Sequence, residues 1–427
     1  MKISRLLKKL SSIFLREERF VSTRLARLPV PKLRASSRHT GLNVKGLELI
    51  DLASGASEND TPEALKQAAV NAIVSGENQY GPAAGDLLLR KAYSAHVAAS
   101  TGVAVDPDKE LTVVSGTSAA LAATLLATLN QGDEVLIFEP FFEGYLQAIA
   151  LAGGVARPVP LVREPSVGFV SLSLTPFSNW AVDEATLAAA VNSRTRVILL
   201  NSPHNPTGRV FNHDELAVIA SLAREFDLLV IADEVYAPLV FGEAKHESIR
   251  SLPGMKERTV VLDGMSKTHS VAGWRIGFIV APERITAQIR RLQTALGLSV
   301  PTPLAVACRS AFAAADDGCA SALAAQTAAM KASTEAAGDA LARALERAGF
   351  ALSRPQGATY ILANRDAVYR EGGGSLASFL EEELGILSVA GDAFFSGEEG
   401  SRWVRLCFAR NAATIEAAVK RLSAIKR

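Results

Sequence analysis

Residues 196–236 read RVILLNSPHNPTGRVFNHDELAVIASLAREFDLLVIADEVY, and this stretch decides the class of fold. It opens with an apolar run, Arg196–Leu200, that ends at Asn201. Two prolines and a glycine follow in Asn201-Ser202-Pro203-His204-Asn205-Pro206-Thr207-Gly208, which makes a rigid turn. A helical pattern then covers His213–Phe226, with Asn212 as N-cap and Glu215 three residues on. The second apolar run, Leu228–Ala232, delivers Asp233 at its end. Strand, turn, helix and strand in that order is the unit that builds a parallel sheet covered on both faces.

The alternation extends outward on both sides. Leu111–Ser115 is a short apolar run, and Gly116 turns it into an Ala/Leu-rich helix that reaches Asn130. After the turn Gly132-Asp133 comes the strand Glu134–Phe138, and Thr259–Leu262 is another beyond the opening stretch. In such a sheet ligands sit beyond the carboxyl ends of the strands, and each polar motif of the chain falls just after one of these runs. Past Pro303 the texture changes to an Ala-rich helical stretch from about Leu304 to Ala348, short strands near Tyr360–Ala363 and Trp403–Phe408, and a last helix over about Thr414–Lys426. The expected organisation is a basic arm over 1–40, the N-terminal part of a small domain over 41–75, a large domain over 76–303 and the C-terminal part of the small domain over 304–427.

Length and composition set the outer bounds. A chain of 427 residues, 48% hydrophobic and 21% charged, has room for two or three domains. Its net charge of +1 provides no global field for nucleic acid or membrane. Charge gathers at the start, where residues 1–40 carry eleven Lys/Arg against two acids, Glu17 and Glu18. Ile3, Leu6, Leu7, Leu10, Ile13 and Phe14 recur there at helical spacing. They read as an arm packed on the body of the protein or on a partner subunit, with a contact to acidic lipid or a transit peptide as competing readings. Cys308, Cys319 and Cys407 are odd in number and far apart, so neither a disulfide framework nor a zinc site is expected. The start lacks a secretory signal, and the longest uncharged run, Leu111 to Gly132, contains Ser115, Gly116, Thr117, Ser118 and Asn130. A cytoplasmic protein with reduced thiols and no integral membrane segment is the expectation.

Ser266-Lys267 lies in the loop after Thr259–Leu262, where a lysine taken alone reads as a solvated charge. Eight residues beyond it, Arg275 stands in Gly273-Trp274-Arg275-Ile276-Gly277. An amine that forms an imine and an arginine that clamps a phosphate together suit a phosphate-bearing aldehyde. Asp233 follows the apolar Val230-Ile231-Ala232 and needs a partner if buried. A protonated pyridine nitrogen is one partner, and a capping role for the next segment is the other. Tyr236, three residues later, can reach a ring hydroxyl, and Asn205 is held on its turn as a donor toward the same ring. His204 beside it reads as structural. Ser115-Gly116-Thr117-Ser118 joins strand to helix with small residues, so backbone N–H groups can approach a phosphate. Glu139-Pro140-Phe141-Phe142 offers an aromatic face for stacking or for the core. Arg405, inside Trp403-Val404-Arg405-Leu406-Cys407-Phe408, needs an anion, either a substrate carboxylate or an internal acid.

Four motifs in order, Asn205-Pro-Thr-Gly208, Asp233-Glu-Val-Tyr236, Ser266-Lys267-Thr268 and Gly273-Trp-Arg275-Ile-Gly277, resemble the class I/II aminotransferases of pyridoxal-phosphate fold type I, over roughly residues 45–427. Glu139-Pro-Phe-Phe142-Glu-Gly-Tyr145, Ala152-Gly-Gly154 and Arg405-Leu-Cys-Phe408 are most similar to the kynurenine, glutamine and methionine aminotransferase branch. The resemblance implies an α/β fold: a large domain with a mostly parallel sheet of the seven-stranded type between helices, and a smaller α+β domain from the N- and C-terminal parts. It implies pyridoxal 5′-phosphate as cofactor, with Lys267 as the Schiff-base lysine and proton shuttle and Asp233 on the pyridine nitrogen. Tyr236 and Asn205 would bond the ring oxygen, and Phe142 would stack on the ring. Gly116, Thr117, Ser118, Ser266 and Arg275 are the implied phosphate ligands; Arg405 is the implied ligand of the substrate carboxylate, with Gly55 and Asn205 nearby. Tyr80, in Asn78-Gln-Tyr80-Gly81, matches a tyrosine that the family sends across a homodimer interface to the cofactor. Two features depart from the pattern: Gly264, where relatives often carry a phosphate-binding serine three residues before the lysine, and the long basic arm.

The implied activity moves an amino group from an L-amino acid to a 2-oxo acid by a ping-pong route. The branch favours aromatic, methionine-like or glutamine-like donors, and no second arginine clearly marks a dicarboxylate substrate. A β/γ-lyase of the cysteine-conjugate type, or a cyclase, would use the same residues. A regulator with an aminotransferase-like sensor is a reading of another class, but residues 1–45 are too short for a helix-turn-helix domain. Lys267, Asp233, Arg275 and Arg405 together argue against a silent relative.

Overall fold

The computed structural model describes residues 22, 25, 28–32, 41–165, 177–312, 318–365 and 375–425. The helical arm expected over 1–30 therefore lies almost wholly outside the described residues.

Seven strands form the central sheet. Across it they run Leu111–Val114, Gly277–Val280, Thr259–Gly264, Leu229–Asp233, Thr195–Asn201, Glu134–Glu139 and Val155–Pro160. All neighbours pair in parallel except Gly277–Val280, which is antiparallel to both of its neighbours. Successive residues of each strand serve opposite faces, as the two-residue period requires. Val114, Ile137, Leu199, Ile231, Val260 and Ile279 pack under the helices Thr117–Thr128, Gly144–Leu151 and Glu283–Leu296. Val113, Leu136, Ile198, Val230, Val261 and Phe278 pack under Leu87–Thr101 and His213–Glu225. The last of these helices starts where the sequence places it. Asn212 accepts from the Glu215 backbone N–H and the Glu215 side chain accepts from the Asn212 N–H, each at 3.0 Å.

Two strands of the sheet carried no sequence reading. Val155–Pro160 includes Pro158 and Pro160 and stands at the edge, where a proline costs no ladder bond. Gly277–Val280 directly follows the Arg275 motif and pairs with Thr259–Gly264 and Leu111–Val114.

A second, antiparallel sheet orders its strands Ala351–Leu352, Tyr360–Asn364, Trp403–Cys407 and Val389–Ala390. The helices Gly318–Arg347, Leu376–Leu384 and Ala412–Leu422 cover it. Ile50–Asp51 pairs in parallel with Ile386–Leu387, which joins the N-terminal part of the chain to this C-terminal unit. Ile50 and Leu52 pack in its core, whereas Leu65 of the helix Glu63–Val74 packs in the core of the large sheet. The helical stretch expected from about Leu304 to Ala348 is divided into separate elements. It comprises the helix Thr302–Ala307, a 3-10 turn over Cys308–Phe312 and the helix Gly318–Arg347. Cys308 and Cys407 are buried and free, and burial pushes the Cys308 thiol up to about 12. Among the described residues no helix is long and apolar enough to cross a membrane.

Candidate active site

The site forms where strands end. Asn201 and Asp233 are register partners at the carboxyl ends of adjacent parallel strands, and Ser266-Lys267 follows the next strand, which ends at Gly264. A cavity of about 260 Å³ opens there and reaches Tyr360 and Arg405 of the second sheet. Lys267, Asp233, Asn205, Tyr236, Arg275, Arg405, Gly55, Thr117, Ser118, Phe142 and Ser266 all line it. Of the residues singled out in the sequence, Gly116 stands directly behind Arg275 and Tyr80 is 98% exposed, away from this chain's own cavity.

Lys267 donates from Nζ to the Gly55 carbonyl at 2.7 Å, so the amine bridges the large sheet and the N-terminal segment. Gly55 has no room for a side chain, since a Cβ would sit 2.6 Å from the Tyr360 hydroxyl oxygen.

Asp233 accepts the Tyr145 hydroxyl at Oδ2, 2.8 Å away. Burial pushes its carboxyl up to about 6, and the Tyr145 bond acts in the opposite direction. The Tyr145 hydroxyl is pushed well up by burial and by the Asp233 charge. Asn201 ties the neighbouring turn to this strand: its Nδ2 donates to the Asp233 carbonyl at 2.9 Å and its Oδ1 accepts from the Asn205 N–H at 2.8 Å. Asn205 in turn accepts at Oδ1 from Arg405 Nη1 at 3.2 Å, which leaves its Nδ2 group to the cavity.

Arg405 is only 3% exposed. Its Nη2 donates to the Ala53 carbonyl at 3.0 Å, and its Nε is buried with no acceptor among the described residues. No described carboxylate pairs with it, which removes the internal-acid reading and leaves a buried cation facing a cavity. The rings of Tyr360 and Phe394 hold the guanidinium at 4.2 and 5.0 Å from their centroids. The hydroxyls of Tyr236 and Tyr360 stand 3.1 Å apart on the same wall.

At the far end an anion cradle is built from backbone. Gly116 has φ 82° and caps the helix Thr117–Thr128, and a Cβ there would collide with the Arg275 guanidinium. Arg275 adopts φ 57° and is steadied by bonds from Nη1 to Ala272 O, 3.0 Å, and from Nη2 to Ser115 O, 3.4 Å. Helix N–H groups, a guanidinium and the Ser266 hydroxyl converge, an arrangement suited to a phosphate. Gly264, where relatives often carry serine, is tightly enclosed. A Cβ there would lie 3.1 Å from both Ile276 O and Thr117 Cγ2. The Thr117 methyl thus fills the space a serine would need.

His204 is buried, bonded through Nδ1 to Thr207 Oγ1 at 2.8 Å, and held down to about 3 by burial and by Arg209. That matches the structural role read for it. The sequence reading gave no role to Tyr145 or Tyr360. Tyr145 belongs to a quoted motif but is separated from Asp233 by 88 residues, so only the fold joins them.

The family Aminotransferase class I and II matches residues 48–422. The chain is 33% identical over 399 residues to a probable N-succinyldiaminopimelate aminotransferase of Mycobacterium tuberculosis, covering 88% of this chain and 92% of that one. It is 29% identical over 375 residues to the methionine aminotransferase of Escherichia coli, again covering 88% and 92%. The solved structure of the N-succinyldiaminopimelate aminotransferase from Mycobacterium tuberculosis superposes with a TM-score of 0.84 at 32% identity, covering 95% of this chain and 100% of that one.

Proposed function

The chain belongs to the class I and II aminotransferases, pyridoxal-phosphate-dependent enzymes that transfer amino groups, and from that premise we propose which of its residues carry the reaction and on what class of donor. Three features fit the cofactor. A half-buried carboxylate pushed up to about 6 calls for a cationic partner, a helix N-terminus without a Cβ faces an arginine, and a lysine amine stands in the same cavity. When bound, the cofactor supplies a phosphate handle and an electron-withdrawing ring that takes up the charge left at a deprotonated carbon.

Lys267 would anchor the cofactor through its amine, and its Nζ is the group placed to take the α-proton of the amino acid. Asp233 holds the pyridine nitrogen in its protonated form, with Tyr145 orienting the carboxylate. Asn205 and Tyr236 donate to the ring oxygen and Phe142 stacks on the ring. Arg275, Ser266 and the N–H groups of Gly116, Thr117 and Ser118 hold the phosphate. Arg405 takes the substrate carboxylate beside Gly55 and Asn205. The observation that carries this reading is that Lys267, Asp233, Arg275 and Arg405, from four separate segments, line one cavity of about 260 Å³.

The donor is an L-amino acid with an uncharged side chain of the aromatic, methionine or glutamine type. Beyond Arg405 and Arg275, the cavity walls are formed in good part by Tyr360, Tyr236 and Phe142. The working form is a homodimer. Tyr80 is fully exposed in a setting of exposed Val70, Ile73, Val74, Leu87 and Leu88, which favours burial against a second copy and delivery of Tyr80 to the other site. Buried reduced thiols favour a cytoplasmic enzyme.

Single L-amino acids added to the purified holoenzyme without any 2-oxo acid test the reading by absorbance. Loss of the visible cofactor band with methionine, phenylalanine or glutamine supports it. A protein that shows no visible band when supplied with pyridoxal phosphate sinks the residue assignments. A preference for aspartate or glutamate sinks the donor class alone.

A further inference from the structure

A larger cavity, of about 660 Å³, lies on the opposite face of the central sheet. Its floor is Val261, Asp263 and Val280, its roof comes from the helix Leu87–Thr101, and its side is the segment 234–251. Part of the wall is apolar, formed by Val97, Val103, Pro238 and Val240. None of its lining residues lines the active-site cavity.

The acids in this cavity are already served. Glu234 accepts from Ser248 Oγ at 2.7 Å and faces His246 Nε2 at 3.2 Å. Asp263 accepts from the Tyr93 hydroxyl at 2.5 Å and from its neighbour Gly264 N–H at 2.6 Å. The donors are not. Arg250 is 3% exposed and spends Nη2 on Glu110, 3.1 Å away, while its Nε and Nη1 are buried with no acceptor among the described residues. Both ring nitrogens of His246 are likewise buried without a hydrogen-bond partner among the described residues. Burial works against protonation of this imidazole, but Glu234, Asp263 and Glu247 together make it easier to protonate than an ordinary histidine. Lys245 stands exposed at the rim.

Buried cationic donors without acceptors, beside apolar walls, call for an anion with an apolar body. A phosphate dianion is disfavoured, because Glu234, Asp263 and Glu247, the last facing His213 Nδ1 at 3.0 Å, line the same space and repel a second negative charge. We propose that this rear cavity is a second ligand site, selective for a small organic monocarboxylate whose carboxylate meets Arg250 and His246 and whose apolar body lies on Val97, Val103 and Val240. The site shares no lining residue with the active-site cavity, and only the choice of Arg405→Gln as background in its test rests on the proposed role of Arg405.

Fluorine NMR of 4-fluorophenylacetate titrated into the holoenzyme tests it, with the neutral 4-fluorophenylacetamide as control. The Arg405→Gln protein removes carboxylate binding at the active site and isolates the rear cavity. Saturable binding of the acid to this protein is expected, with the amide at least about tenfold weaker. Adding Arg250→Gln should weaken binding by about tenfold or more. Val103→Phe fills the cavity from its rim and leaves Arg250 in place. Introduced into Arg405→Gln it should abolish binding, and introduced alone it should leave transamination at the wild-type rate, which shows that the fold survives. No binding to Arg405→Gln, equal binding of the amide, or undiminished binding after Val103→Phe overturns the proposal.

Discussion

Replacing Tyr145 by Phe removes one oxygen from the site and leaves the ring, which is 3% exposed and packs edge-on to Phe142 at 5.4 Å. What is lost is the 2.8 Å bond to Asp233 Oδ2. Asp233 has its carboxyl raised from 3.8 to about 6, so in protein freed of cofactor its contribution to stability is fully present below the unfolded value and is lost as pH rises through about 6. The Tyr145 hydroxyl limits that loss, because it donates to the ionised form. A hydrogen bond to a charged group is worth about 1.5–3 kcal/mol and one to a neutral group about 0.5–1.5 kcal/mol. The substitution should therefore cost about 1 kcal/mol at about pH 4.5 and about 2 kcal/mol at about pH 8, and move the Asp233 titration up by roughly one pH unit. Denaturant midpoints of the two cofactor-free proteins across that range read the difference. In the holoenzyme, a carboxylate that draws the proton away from the ring nitrogen lowers kcat by about three- to tenfold, with KM for the amino acid unchanged because Arg405 is untouched. Two stability profiles that run parallel across pH, or a variant as stable as the parent at about pH 8, would refute the argument that this hydroxyl serves an ionised carboxylate.

Three further outcomes follow from the same site. Lys267→Ala should abolish the visible band of the bound cofactor and cut turnover by about a thousandfold or more, read by absorbance and steady-state kinetics. Arg405→Lys keeps the charge but loses paired bonding to a carboxylate, so KM should rise about ten- to a hundredfold, while binding of the cofactor itself, measured by dialysis, stays within about twofold. Gly264→Ser places a Cβ 3.1 Å from Ile276 O and Thr117 Cγ2; the holoenzyme should lose about 1–3 kcal/mol in denaturation. Its cofactor affinity should not improve, although the new hydroxyl restores a ligand that relatives often possess.

The catalytic motifs were legible because each sits within a few residues of a strand end. Asn201, Asp233 and Lys267 are placed by local strand, turn and apolar pattern, and parallel pairing brings the ends together. Relationships made only by tertiary packing were not legible. Nothing near Tyr145 signals a bond across 88 positions to Asp233, and nothing near Arg405 signals that Asn205, 200 positions away, accepts from it. The Val155–Pro160 strand was hidden by prolines that only an edge position tolerates. Gly264 read as a missing hydroxyl, whereas its surroundings show that a side chain there would press on Ile276 O and the Thr117 methyl at 3.1 Å.

The two faces of the sheet are electrostatically joined at Asp233, Glu234 and Asp263. These three carboxylates stand at the ends of neighbouring parallel strands, and each finds a different donor: Tyr145 for Asp233, Ser248 for Glu234, and Tyr93 for Asp263, while His246 Nε2 faces Glu234 at 3.2 Å. The Glu234 charge helps raise Asp233, and Glu234 with Asp233 helps raise Asp263, which burial and these neighbours push up to about 6. A cation held on Asp233 offsets part of that repulsion, so Asp263 ionises more readily when the active site is filled. Linkage makes the effect reciprocal: an ionised Asp263 attracts that cation, and a protonated Asp263 gives up the attraction. Cofactor affinity should therefore fall as pH drops through about 6, and Asp263→Asn should flatten part of that fall while leaving Asp233 and Lys267 in place. A fall of unchanged steepness in Asp263→Asn would mean that the charge behind the sheet is not felt in front of it.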